Sequence, residues 1–363
     1  MVDFSDVEQH YYKWLHFEND PLLVRILYCL VLANRWDSDP VWALIVGPAG
    51  SGKTELLTSL TGSDTAVFVS TLTPYALASG FGTGDESLLF QLDNNMLIVE
   101  DMSAITELAP DARNTLFSFL RSAYNGKFTR ATGRGKIEWS GKFGMLGGAT
   151  LAIESARKME GALGERFLYL RPRVDMVNQD ELLERVLGSA TKKNQMRRVL
   201  KNVAAAYLKQ EANTNGRKLR RSIVDVAKGA AIALSRIRTS AVRNNYTRDI
   251  EFPLEVGEMG TRLMTQFLVI ALAAKSIGTK PDTIEDIIYR LMLDSMPYVR
   301  CKTLRLIHRG CVTPKDLTGR LKMSSSQVNR HLEELRLLGI VGSNRRREYE
   351  VADEFVSTAL DRE

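Results

Sequence analysis

The chain of 363 residues is 44% apolar and 25% charged, an ordinary globular composition that excludes a disordered tail, a collagen-like fibre and a small disulfide scaffold. At roughly 150 residues per domain it makes two or three domains, each able to bury a core without metal or disulfide staples. The net charge of +6 is unevenly spread: residues 1–189 hold 17 Lys and Arg against 24 Asp and Glu, and residues 190–363 hold 32 against 19. The second half is therefore where a polyanion, or a solvated basic helix face, is expected.

Cys29, Cys301 and Cys311 are an odd set at no ligand-like spacing, and the four histidines are scattered, which argues against a zinc site and for a reducing compartment. No signal peptide is evident. The best apolar runs are too short (267–274) or interrupted (22–33, by Arg25) to span a bilayer. A soluble, cytoplasmic protein is expected.

In chain order, apolar positions at helical spacing over residues 5–34, interrupted at Asn19-Asp20-Pro21, predict two helices. From Val41 the pattern changes to short apolar runs at 42–46, 66–69, 96–99 and 143–146, each followed by a Gly-rich or acidic turn and a helical stretch. That alternation predicts a parallel α/β sheet covered by helices. Residues 180–296 read as nearly all helical, with amphipathic stretches at 196–210, 219–240, 261–277 and 283–294, and 298–355 has a periodicity of its own. The expected divisions are N-terminal helices (1–40), an α/β core (41–186), a helical region (187–296) and a C-terminal unit (297–358).

The run Leu44-Ile45-Val46 leads directly into Gly47-Pro48-Ala49-Gly50-Ser51-Gly52-Lys53-Thr54 and then Glu55-Leu56-Leu57. A strand ending in a G-x4-G-K-T loop that opens a helix is a phosphate-binding loop in its proper context. Its backbone N–H groups can curl around a β-phosphate, Lys53 can reach the β- and γ-phosphates, and the Thr54 hydroxyl can ligate Mg²⁺. ATP or GTP is the expected ligand. Further on, Met96-Leu97-Ile98-Val99 ends in Glu100-Asp101, a strand end that can supply a Mg²⁺ partner and a water-orienting base.

At these residues the chain resembles the AAA+ ATPases, in particular the branch with a β-hairpin before the sensor 1 strand, which includes minichromosome maintenance helicases and bacterial enhancer-binding activators. The order matches: a helix at 115–120, hairpin arms at 126–132 and 136–140 around Gly133-Arg134-Gly135, and a strand over 143–150. The resemblance implies a P-loop AAA+ core with an all-α lid, ATP and Mg²⁺ as cofactors, and catalytic positions at Lys53, Glu100, Asp101, Thr150 (sensor 1), Arg166 (an arginine finger acting across a subunit boundary) and Arg262 (sensor 2). Arg171 and Arg173 are rival finger candidates. Two departures stand out. The acidic pair runs Glu then Asp where the branch has Asp then Glu, which suggests Glu100 on the metal side and Asp101 on the water side. Ser79-Gly80-Phe81-Gly82-Thr83-Gly84 only loosely matches the loop with which the activators engage a sigma factor.

Basic residues then suggest nucleic acid. The hairpin carries Lys127, Arg130, Arg134 and Lys136 about its tip and Trp139 at its base, and Lys192, Lys193, Arg197, Arg198, Lys201, Arg217, Lys218, Arg220 and Arg221 form a second cluster, to be read as a polyanion surface or as solvated helices. Over 312–351 a short helix, a Ser-capped amphipathic helix and a two-arm ribbon spell a winged helix-turn-helix. Gln327, Asn329 and Arg330, with Ser325 and Ser326, are expected at the major groove, and Arg345, Arg346 and Arg347 in the wing. The sequence thus predicts an ATPase that assembles as a ring, hexameric for preference, or a helical oligomer and moves on or remodels single-stranded or duplex DNA. The short N-terminus favours a motor of a phage, plasmid or other mobile element. The alternative is an ATP-switched DNA-binding transcription or defence regulator without unwinding activity.

Overall fold

A computed structural model describes residues 2–77, 88–132, 135–154, 166–174, 180, 183, 184, 187, 190–210, 218–239, 241, 243, 244, 246, 247, 250 and 259–363. The predicted apolar runs are strands β1 (Trp42–Val46), β2 (Ala66–Val69) and β3 (Met96–Val99); β4 (Lys127–Thr132) and β5 (Gly135–Ser140) form an antiparallel hairpin; β6 (Gly144–Ala149) and β7 (Phe167–Leu170) follow. β1, β2, β3, β6 and β7 make one parallel sheet in the order β2-β3-β6-β1-β7. Every residue of β1, β3, β6 and β7 is buried, as parallel strands covered on both faces require.

Glycines set the position of β6. A Cβ on Gly148 would lie 2.5 Å from the Glu100 carbonyl oxygen and 3.1 Å from Leu57, one on Gly144 would lie 2.5 Å from Asn34, and one on Gly147 would run into Met102. Only a bare backbone lets β6 slot between β1 and β3. The register then aligns Val46 with Ala149 and Val99 with Gly147, bringing the carboxyl ends of three strands together. Below them the Trp42 ring stacks on Phe143, meets Tyr124 edge-on at 5.0 Å, and donates its indole N–H to the Phe143 carbonyl at 2.9 Å.

The chain divides into two compact units, residues 1–218 with 269–280, and residues 219–268 with 281–363. In the first, helices α1 (Phe4–Leu15), α2 (Pro21–Leu32), α3 (Lys53–Leu60), α4 (Pro74–Leu77), α5 (Pro110–Tyr124) and α6 (Lys193–Leu208) accompany the sheet. The break between α1 and α2 falls at the predicted Asn19–Pro21, with Pro21 opening α2. α6 packs on α1 and α3: the Tyr207 ring meets Phe4 and Tyr28 edge-on at 5.3 and 5.7 Å, while the Tyr11 hydroxyl joins those of Tyr28 and Ser59 in a buried network.

The second unit contains α7 (Arg221–Arg238), α9 (Pro281–Ser295), α10 (Tyr298–His308), α11 (Pro314–Leu321), α12 (Ser325–Leu337), a β8 (Val341–Ser343)/β9 (Tyr349–Val351) ribbon and α13 (Glu354–Asp361). α8 (Thr261–Ser276) gives residues to both units, and 219–239 groups with the C-terminal segment, so the expected division into 187–296 and 297–358 is not how the chain clusters. Leu317, Val328, Leu332, Leu335 and Ile340 form the inner face of the C-terminal segment. Buried Arg300 donates to Glu334 at 2.6 Å and to the Thr239 carbonyl at 2.6 Å, and Arg243 reaches Glu333 and Glu334 at 2.8 and 3.1 Å. These pairs fasten α12 to the body of its unit. Removing one partner of so enclosed a pair costs about 3–5 kcal/mol. Among the described residues no helix is long and apolar enough to cross a membrane.

Gly148→Ala is expected to lower stability by about 1–3 kcal/mol, the ordinary cost of overpacking, because its new methyl meets backbone and not a movable side chain. Thermal unfolding of the substituted protein measures it.

Candidate functional site

The loop that leaves β1 begins with the Gly47 N–H donating to the Ala149 carbonyl at 3.1 Å. It turns through Gly50 (φ +78°) and Gly52 (φ +79°), a left-handed backbone that other residues adopt at a cost. A Cβ on Gly47 would lie 2.8 Å from Ser51 Oγ, and one on Gly52 would lie 2.9 Å from the Phe17 ring, which approaches the loop from the α1–α2 connection. Pro48 and Ala49 stand at the exposed crest. α3 starts at Lys53 with Gly52 at its N-cap, and no side chain caps it. The first-turn N–H groups, including that of exposed Thr54, are left with the positive end of the helix dipole.

Lys53 Nζ donates to the carbonyls of Gly47 (2.9 Å) and Pro48 (2.6 Å) and to Ser51 Oγ (3.3 Å). Burial holds this amine below its usual pKa, opposed by the charge of Asp101. A half-buried ammonium bonded only to neutral oxygens of its own loop, above an uncapped helix end, is chemically fitted to a phosphate: an anion there supplies both the acceptors and the charge.

The acids stand beside it. Glu100 and Asp101 extend β3, their N–H groups donating to Val69 and Ser70 carbonyls at 2.9 and 3.1 Å. Asp101 Oδ1 accepts the Ser103 N–H at 2.8 Å, and Ser103 Oγ in turn accepts the Thr150 N–H at 2.8 Å and meets the Thr150 hydroxyl at 3.2 Å. Lys53, Asp101 and Thr150 are thereby brought to one edge of the sheet. Among the described residues no three His, Cys, Asp or Glu side chains converge as a metal-binding group.

Glu100 has a different cation for company, one that reading the sequence missed. Arg197 on α6 grips Glu55, two residues past Lys53, with Nε to Oε2 at 2.8 Å and an Nη to Oε1 at 2.6 Å, and Lys193 approaches at 3.6 Å. Burial would raise the Glu55 pKa, but hydrogen bonds and charge from Arg197, with Lys193, overcome it and hold the carboxyl below its ordinary range. The Arg197 guanidinium is held above its ordinary pKa by the Glu55 hydrogen bonds, with the charges of Glu55 and Glu100 adding to them. The second basic cluster is thus divided: Lys192 and Arg198 are exposed, whereas Lys193 and Arg197 reach the loop helix. Buried Met196, Leu200, Ala204 and Leu208 mark the inner face of α6, and 193 and 197 lie one residue along from that stripe, the signal that could have set them apart.

The arginines expected as finger and sensor are placed differently. Arg166 is only 7% exposed and lies over the Tyr124 ring at 5.1 Å. Arg171 pairs with Glu154, and the Arg173 N–H donates to Asp20 at 3.0 Å. Leu163, Gly164 and Glu165 lie outside the described residues, as do Ser79–Gly84, Arg134 and Arg217. Arg262 begins α8 in the second unit.

Of the DNA candidates, Arg130 lies over the Phe119 ring at 5.0 Å, exposed Lys136 pairs with Glu138, and Phe128 and Trp139 are buried opposite each other at the hairpin base. Gln327 is committed to a capping box: its Oε1 accepts the Ser324 N–H at 3.1 Å while Ser324 Oγ accepts the Gln327 N–H at 3.3 Å. Asn329 and Arg330 are exposed on α12. Arg345, Arg346 and Arg347 are exposed on a turn ordered by Asn344, whose Oδ1 accepts the N–H groups of Arg346 and Glu348 at 2.9 and 3.0 Å; Arg347 takes φ +58°.

Gly52→Ala is expected to destabilise by about 1–2 kcal/mol from backbone conformation alone, and adding Phe17→Ala should recover only the part due to the ring contact. Thermal unfolding of the single and double variants separates the two. No family model matches the chain, and no curated protein matches it in sequence.

Proposed function

We propose that the chain is an ATPase of the AAA+ type whose ATP hydrolysis drives movement on, or remodelling of, DNA. The observation that carries this reading is the glycine loop 47–54 at the carboxyl end of a central parallel strand, with a sheet order that sets Asp101 and Thr150 beside Lys53. Mg²⁺-ATP would supply a phosphoryl group activated for transfer to water. Lys53 exchanges its loop carbonyls for β- and γ-phosphate oxygens, and the N–H groups of residues 50–54 hold the β-phosphate. Thr54 and Glu100 would hold the Mg²⁺ that accompanies the nucleotide and offsets its charge. Asp101 orients the attacking water, and Thr150, tied to the same turn through Ser103, fixes where that carboxylate sits. Arg262 is assigned to the lid side of the nucleotide, and Arg166 to the γ-phosphate of a neighbouring subunit once it leaves Tyr124, so full activity requires a homo-oligomer, ring or helical.

The C-terminal segment, residues 297–358, is read as a winged helix. α11 and α12 would be the helix-turn-helix and β8 and β9 the wing, with the Tyr349 N–H donating to the Val312 carbonyl at 2.8 Å. Arg330, Asn329 and the wing arginines meet duplex DNA, and the hairpin cations Arg130, Arg134 and Lys136 meet a passing strand. One observation favours the regulatory alternative: Arg166 folded onto its own Tyr124 describes a resting protomer, such as a switch regulator released from its oligomer would adopt.

Lys53→Ala is expected to weaken binding of a fluorescent ATP analogue tenfold or more, a charge-assisted hydrogen bond contributing about 1.5–3 kcal/mol, and to abolish hydrolysis and unwinding together. Sequence-specific duplex binding by a parent protein that never unwinds DNA would favour the regulator. Replacing Arg345, Arg346 and Arg347 by alanine should reduce the slope of log affinity against log salt by roughly 0.9 per lost phosphate contact. An unchanged slope would make this segment a protein-docking unit.

A further inference from the structure

Arg197 belongs to a helix that neither the loop nor the strands supply. Its guanidinium grips Glu55 through two hydrogen bonds of 2.8 and 2.6 Å and lies within electrostatic range of Glu100. Glu55 is in the first turn of α3, two residues past Lys53. α6 is pressed close, since a Cβ on Gly62, just past α3, would strike the Lys201 backbone. A negative side chain near a bound polyanion opposes its binding.

From this arrangement we infer that Arg197 is a positioning residue that tunes nucleotide affinity by neutralising Glu55 from α6. The inference rests on the nucleotide reading of the 47–54 loop. Arg197 offsets the repulsion between Glu55 and the phosphates of ATP. Because α6 carries the charge, any shift of that helix away from α3 changes the affinity, which makes α6 a lever on the site.

The test uses the full chain and a fluorescent ATP analogue, titrated in EDTA. A simple structural clamp and the electrostatic role differ in sign. Arg197→Gln and Glu55→Gln break the same pair, so a clamp moves nucleotide affinity in the same direction in both. The electrostatic role moves them oppositely in EDTA: Arg197→Gln weakens binding and Glu55→Gln strengthens it, each roughly fivefold or more at an effective dielectric near 20. Arg197→Lys keeps the charge without the planar fork and should bind as the parent does in EDTA while melting at a lower temperature. Equal and same-signed shifts for the two Gln variants, or an Arg197→Lys that binds like Arg197→Gln, would overturn the assignment. Loss of binding in Lys53→Ala together with same-signed shifts defeats this inference alone; unchanged binding in Lys53→Ala defeats the nucleotide reading beneath it.

Discussion

The site depends on how closely β6 approaches its neighbours. Glycines at 144, 147 and 148 let the strand enter between β1 and β3, Gly148 against the Glu100 backbone and the other two against the side chains of Asn34 and Met102, and the Met102 N–H donates to the Gly148 carbonyl at 2.7 Å. That hydrogen bond turns the chain after Glu100-Asp101 back toward β6, so Ser103 can meet Thr150. The loop after β1 is anchored to the same strand through the Gly47 N–H on Ala149. One inserted strand therefore sets the distances among loop, acids and Thr150, and side-chain bulk on it would separate all three.

Electrostatics completes what packing begins. The half-buried Lys53 ammonium is opposed by the charge of exposed Asp101, and the Glu55 carboxylate holds the Arg197 guanidinium by two hydrogen bonds. The neutral oxygens that Lys53 now holds are its weakest possible partners, and an arriving phosphate displaces them at little cost. In the second unit the same principle fastens α12: Glu334 is gripped by Arg300 and Arg243, while Asn329 and Arg330 on the same helix are exposed.

Much of the fold was legible because local signals and packing agreed. The strands at 42–46, 66–69 and 96–99 were visible as apolar runs ending in turn residues, and the loop 47–54 because its glycines and lysine fall at fixed spacing after one of them. The strand expected from Phe143 starts at Gly144, since Phe143 gives its side chain to Trp42 and its carbonyl to the indole. Strand order was not legible, being set by which glycine meets which neighbour. Arg197 looked like one cation among many because charge spacing alone does not distinguish a solvated face from one turned toward a single carboxylate. Gln327 was expected at the major groove, and its position three residues past Ser324 also makes it part of the helix cap. Phe17 gave no signal, since its contact with Gly52 spans 35 residues and depends on the bend between α1 and α2.

The most direct test is an experimental structure with Mg²⁺ and a slowly hydrolysed ATP analogue. Lys53 Nζ should leave the carbonyls of Gly47 and Pro48 for phosphate oxygens, with Thr54 and Glu100 on the metal side and Asp101 facing the γ-phosphate. A saturating analogue that leaves Lys53 on its own loop, with the cradle empty of phosphate, would contradict the assignment of this site.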